Sequence, residues 1–65
     1  MSSTLVTTRA TGTAFYAADG RLVATALYSS AGQCWYATDE RTATNLAWGV
    51  DRTRAEAAAA RAAEE

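Results

Sequence analysis

This chain contains no histidine, no lysine and no proline, and a single cysteine, Cys34. Each absence excludes something. Without histidine or lysine, acid–base and Schiff-base catalysis lose their usual agents. One cysteine cannot form an internal disulfide, and one thiolate with carboxylates is not the ligand set of a structural zinc. The reading is therefore no metal and no cofactor. The lack of proline leaves any strand free to pair on both sides. No apolar run approaches the ~20 residues of a membrane helix. The stretch Met1-Ser2-Ser3-Thr4-Leu5-Val6-Thr7-Thr8-Arg9 has neither the basic nor the apolar region of a signal peptide. Together with a free thiol, which suits a reducing compartment, these features point to a cytoplasmic protein without membrane attachment.

Charge is also scarce. Six arginines face seven acidic residues, for a net charge of −1, so no general electrostatic pull toward nucleic acid or anionic lipid is expected. The glycines at 12, 20, 32 and 49 stand alone, so none belongs to a phosphate-binding loop, and no small-molecule substrate is evident. Sixty-five residues make one domain. A chain of that length buries only about 60% of its unfolded surface, and small domains usually gain stability from a staple or a partner. A second copy or another protein is the supplement this sequence leaves open.

What is abundant is alanine, seventeen residues, and threonine, ten. With arginine replacing all lysine, this fits a GC-rich genome. The threonines and aromatics fall in strand-like runs. Residues 1–10 read as an edge strand or a loose tail, and residues 11–65 as the folded unit. Strands are expected over Thr11–Ala17, Arg21–Ser29, Gln33–Thr38 and Thr42–Val50. Asp19-Gly20 between two such runs predicts a type I′ hairpin, and short polar turns at Ser30-Ala31-Gly32 and Asp39-Glu40-Arg41 imply an antiparallel meander. After Val50 the period changes. Alanines at 55, 58, 59, 62 and 63 form one helical stripe. Thr53 with Glu56 three residues on has the spacing of a capping box, so the helix is expected over about Arg54–Glu64, with Arg54, Arg61 and Glu65 on its outer side and a weak Arg61–Glu65 pair. The fold class is α+β: three or four antiparallel strands and one C-terminal helix packed on one face, β-β-β-β-α. Alanine methyls permit close approach, and Leu46, Trp48 and Val50, alternating along the last strand, are expected beneath them.

Both faces of the sheet read as apolar. Leu22, Ala24, Ala26 and Tyr28 alternate with Val23, Thr25 and Leu27, and Cys34 and Tyr36 oppose Trp35. One helix covers one face, which leaves the other as a candidate contact surface. Aromatic residues dominate interface hot spots, so Tyr16, Tyr28, Trp35 and Tyr36 are the candidate protein-binding residues. No catalytic residue is assigned. Cys34 sits mid-strand beside Trp35, a setting of burial and inertness. Asp39 and Glu40 sit in a turn beside Arg41, and Asp51 stands where a helix dipole favours negative charge.

Strands followed by a helix are similar in topology to the arm-site DNA-binding domains of tyrosine recombinases. That likeness implies a sheet in the major groove and makes Arg9, Arg21 and Arg41 the nucleic-acid candidates, although those domains are usually basic and here Asp19, Asp39 and Glu40 flank the arginines. The run Thr53-Arg54-Ala55-Glu56-Ala57 resembles the helix opening of HicB-type antitoxins over about a dozen residues, with Ala31-Gly32-Gln33-Cys34 standing where that family carries Pro-Gly-Cys. The expectation from the residues themselves is a small non-enzymatic protein-binding or regulatory module. By analogy it belongs with phage and mobile-element accessory proteins that inhibit or modulate a larger protein, anti-CRISPR proteins among them. Homodimerisation remains an alternative.

Overall fold

Five strands lie in chain order across one antiparallel sheet and a single helix returns over it, in a computed structural model that describes residues 5–64. The elements are β1 (Leu5–Arg9), β2 (Gly12–Tyr16), β3 (Leu22–Ser29), β4 (Cys34–Asp39), β5 (Thr44–Val50) and α1 (Arg52–Glu64). The α+β meander read from the sequence is present, with one strand more. Residues 5–9, left open as strand or tail, form the edge strand β1. Residues 1–4 lie outside the described residues, as does Glu65 and with it the Arg61–Glu65 pair. Among the described residues no helix is long and apolar enough to cross a membrane.

The turns follow local chemistry. Asp19-Gly20 does not make a type I′ hairpin, because only Gly20 (φ +91°) has a positive φ there. The Gly20 N–H instead donates to the Ala17 carbonyl at 2.9 Å and the Ala17 N–H to the Arg21 carbonyl at 2.8 Å. This is the three-residue connection of a type I turn closed by a left-handed glycine. The Asp19 carboxylate accepts the Arg21 N–H at 3.0 Å, as aspartate does in turns.

Two features of the helix and its neighbouring strand depart from the simple pattern. The N-cap is Asp51, not Thr53. Its Oδ1 accepts the Arg54 N–H at 2.8 Å and its carbonyl accepts the Ala55 N–H at 3.0 Å, so the helix begins at Arg52. Glu56, freed from a capping box, reaches sideways. Thr13 donates to its Oε2 at 2.5 Å, and Arg52 Nε donates to the same oxygen at 3.1 Å. The Thr13 hydroxyl, first among the causes, and the Arg52 guanidinium hold Glu56 below the ordinary carboxylate range against a smaller opposing cost of desolvation.

The second departure concerns what lies under the helix. Trp48 was expected there, yet it is 58% exposed and Leu46 is 37% exposed. Strand β5 carries irregularities at Leu46 and at Gly49 (φ +71°), each an extra residue relative to β4. Every extra residue shifts the in–out alternation by one. Val50 therefore stays with the core while Trp48 turns to the opposite face. Leu46 swings toward Ala58 and Ala62 at the helix flank. Directly beneath the helix the contact is small on small: Ala55 and Ala59 meet a floor that includes Ala24, Ala26 and Ala37, and all five are fully buried. Phe15 and Val23 complete the buried cluster, with Trp35 and Val50 partly buried against it. Val23 joins it although alternation placed it with Thr25 and Leu27, because β3 is irregular against β2 beside Phe15 and Tyr16.

Arginines tie down the two ends of the helix. At its start, Arg52 donates to the carbonyls of Arg9 (2.6 Å) and Ala10 (3.2 Å) in the β1–β2 turn, and its guanidinium lies 4.9 Å from the Trp35 ring. At its end, Arg41 Nη2 donates to the Ala62 carbonyl at 3.0 Å, where a cation complements the helix dipole. The helix packs on β2, β3, β4 and β5 and reaches β1 through the Arg52 hydrogen bond to the carbonyl of its last residue, Arg9.

Candidate functional site

The covered face spends its small residues on the helix, and the opposite face keeps the large ones. The strand register places Leu5, Thr7 and Arg9 of β1 beside Tyr16, Ala14 and Gly12 of β2. Gly12 and Ala14 lie in turn beside Leu27 and Thr25 of β3, and Leu27 beside Tyr36 of β4. Tyr36 stands opposite Trp48 of β5. All these side chains belong to the face without a helix, because alternation sets them against Thr13, Phe15, Ala26 and Ala37 on the helix side.

Two features organise this open face. Tyr36 and Trp48 pack ring against ring, with centroids 5.4 Å apart and planes tilted by 42°. The Trp48 indole then reaches over the β3–β4 turn, where a Cβ on Gly32 would stand 3.2 Å from its ring. Toward β1, a shallow cleft of about 210 Å³ is lined by Thr7, Arg9, Ala14, Tyr16 and Leu27 among others. It deepens at Gly12 because no side chain fits there: a Cβ would come within 2.5 Å of the Leu27 side chain and 2.8 Å of the Ala26 carbonyl. Leu5, 54% exposed, flanks this end. Thr25 is buried on this face and donates to Glu40 Oε2 at 2.8 Å.

The four aromatic residues singled out from the sequence divide between the faces. Tyr16 and Tyr36 are on the open one. Tyr28 and Trp35 pair edge-on at 5.5 Å on the helix side, where Trp35 is held beneath Arg52. Trp48, assigned from its spacing to the helix interface, is the most exposed large apolar residue of the open face. The one signal for this in the sequence is Gly49, which follows it and permits the left-handed backbone of the bulge.

The arginines do not form one surface. Arg9 lies at the end of the sheet that holds the β1–β2 turn, whereas Arg21 and Arg41 lie in turns at the other end, beside Leu22 and Val23. Arg21 pairs with Asp19 at 2.9 Å and Arg41 with Asp39 at 3.1 Å. The Arg21 backbone N–H, ahead of its charge, lowers the Asp19 carboxyl, and the Arg41 side-chain hydrogen bond, first of several causes, lowers Asp39. Asp39 and Glu40 are therefore engaged separately, by Arg41 and by Thr25, and do not share a site. Cys34 is half-buried, close to Gly32 at the foot of β4. Among the described residues no three metal-ligating side chains come together. Comparison with known proteins finds no family, no curated sequence and no solved structure that this chain matches.

Proposed function

We propose that this protein is a small non-enzymatic binding module that regulates a larger protein through the open face of its sheet, with Trp48, Tyr36 and Tyr16 as the contact anchors and Leu5 and Leu27 around them. The observation that carries this reading is the tilted Tyr36–Trp48 ring pair, laid on a face that none of the described elements covers. Large aromatic side chains held rigid by one another lose little entropy when a partner buries them, and they supply the area on which hot spots are built. The face carries few charges, Arg9 in the cleft and Glu40 beside Thr25, so recognition by apolar area and shape fits it better than recognition by charge. Sheet-mediated DNA binding has less support, because Arg21 and Arg41 are each paired with an aspartate and lie at the end of the sheet away from Arg9. An accessory protein that inhibits or modulates its target by occupying a surface would need no more than this face.

The test is quantitative capture from host lysate by immobilised wild-type protein, Trp48→Ala, Tyr36→Ala and, as a control on the outer side of the helix, Arg61→Ala. A protein retained by wild type and Arg61→Ala and lost with Trp48→Ala and Tyr36→Ala is the expected result. A specific partner retained equally by all four variants would overturn the reading.

A further inference from the structure

The two edges of the sheet are built differently. Edge strands offer unpaired peptide groups to other chains, and proteins commonly blunt them with bulges, charges or covering elements. Strand β5 is blunted. It has irregularities at Leu46 and Gly49, and the Asn45 side-chain amide donates to the carbonyls of Ala37 and Ala47, at 3.3 and 3.2 Å. Strand β1 has no bulge, and its one charge, Arg9, stands at its last residue. Its register with β2 is regular from Leu5 to Arg9, every one of its residues is exposed, and its sequence, Leu-Val-Thr-Thr-Arg, carries one charge and no glycine. The residues flanking a two-residue turn exchange both hydrogen bonds, and pairs alternate from there. Arg9, Thr7 and Leu5 thus point their peptide groups at β2, while Val6 and Thr8 point theirs outward.

We infer that β1 is a self-association edge, pairing antiparallel with β1 of a second copy of this chain about a two-fold axis through Thr7. That register aligns Val6 with the partner's Thr8, Thr7 with the partner's Thr7 and Leu5 with the partner's Arg9. The outward peptide groups of Val6 and Thr8 then form about four hydrogen bonds across the junction. The single charged side chain of the strand meets a leucine, not its own copy, so charge does not oppose the pairing. Nor does the helix obstruct it, since α1 packs on β2 to β5 and meets β1 at the Arg9 carbonyl, not at the outward peptide groups of Val6 and Thr8. An axis normal to the sheet keeps both helices on one side and joins both open faces on the other, so the dimer presents one continuous surface with Trp48 and Tyr36 in duplicate. This inference does not depend on the function proposed above.

Sedimentation velocity of the full chain over a wide concentration range tests it. Mass is expected to rise from the 6.8 kDa of one chain toward twice that value. Thr8→Pro removes an outward N–H that β2 does not use, so it should hold the protein monomeric with its far-ultraviolet circular dichroism unchanged. In a Cys34→Ser background, Thr7→Cys should cross-link to dimer under mild oxidation while Val6→Cys should not, because only residue 7 meets itself across the axis. These cross-links decide the matter should Thr8→Pro fail to fold. A wild-type chain that stays monomeric at millimolar concentration overturns the inference. So does a dimer that Thr8→Pro leaves intact and Trp48→Ala dissolves, which would place the self-contact on the open face. Loss of a captured partner with Trp48→Ala while the dimer persists separates the two proposals.

Discussion

The helix face and the open face of the sheet are made from the same five strands, yet they solve opposite problems. On the helix face the central floor includes Ala24, Ala26 and Ala37, matched by Ala55 and Ala59 above it. On the open face, Leu27, Tyr36 and Trp48 lie behind those same strands. Small residues let a helix of alanines come close to the backbone, where its stability derives from many close contacts and little area per residue. Large residues are left on the side that none of the described elements approaches. The protein closes one side of its sheet with its cheapest side chains and keeps its aromatic area available on the other.

Substitutions on the two faces should therefore behave differently. The largest effect is expected on the helix side at Phe15, the largest of its buried residues. Phe15→Ala should cost about 3–5 kcal/mol, which is comparable with the whole stability of a domain this small. Urea titration should find it unfolded or nearly so. Ala59→Leu tests the closeness of the helix directly: overpacking should cost about 1–3 kcal/mol, whereas Ala14→Leu on the open face should change the urea midpoint little. A tolerated Ala59→Leu would break the contrast.

Glu56 sharpens it further, because it ties α1 to β2 through the buried hydroxyl of Thr13. Glu56→Ala leaves that hydroxyl unpaired and should cost about 1–2 kcal/mol. The same contact sets an acid limit. Glu56 ionises more readily in the folded protein than an ordinary glutamate, for which the value is 4.5, so its contribution is present above that value. As pH falls below 4.5 the unfolded chain takes up the proton first, and the contribution fades until the folded carboxyl is also protonated. Urea midpoints measured between pH 6 and 3 should fall for wild type and fall less for Glu56→Gln. The smallest effect on stability is expected at Trp48. Trp48→Ala loses one aromatic pairing, about 1 kcal/mol, although it removes the proposed anchor for a partner.

Much of this arrangement was legible in the sequence. The switch from strand period to helix period at Val50, the places of the turns (though not the type of the one at Asp19-Gly20) and the alanine stripe came through because each rests on local rules. The interior of β5 did not. Leu46, Trp48 and Val50 alternate as one face, and the sequence has no strong sign that Leu46 is an extra residue against β4. Gly49 is a weaker hint, since an isolated glycine in a strand marks a bulge only sometimes. Nor was the cap readable with certainty: Asp51 and Thr53 are both good N-caps. Asp51 prevails in a setting where Arg52, one residue into the helix, reaches Glu56, the Trp35 ring and the β1–β2 turn at once. Those partners are distant in the chain. Strand β1 was ambiguous for the same reason. Its anchorage is backbone pairing with β2 and the hold of Arg52 on the adjoining turn, neither of which leaves a hydrophobic pattern.

The central claim is that the two tryptophans lie on opposite faces, Trp35 sheltered beneath Arg52 and Trp48 open to solvent. Paramagnetic broadening of the two indole N–H resonances by a soluble gadolinium chelate, assigned with Trp35→Phe and Trp48→Phe, measures this directly. The Trp48 signal should broaden strongly and the Trp35 signal only slightly. Equal broadening, or a Trp48 indole more protected than that of Trp35, would contradict the account.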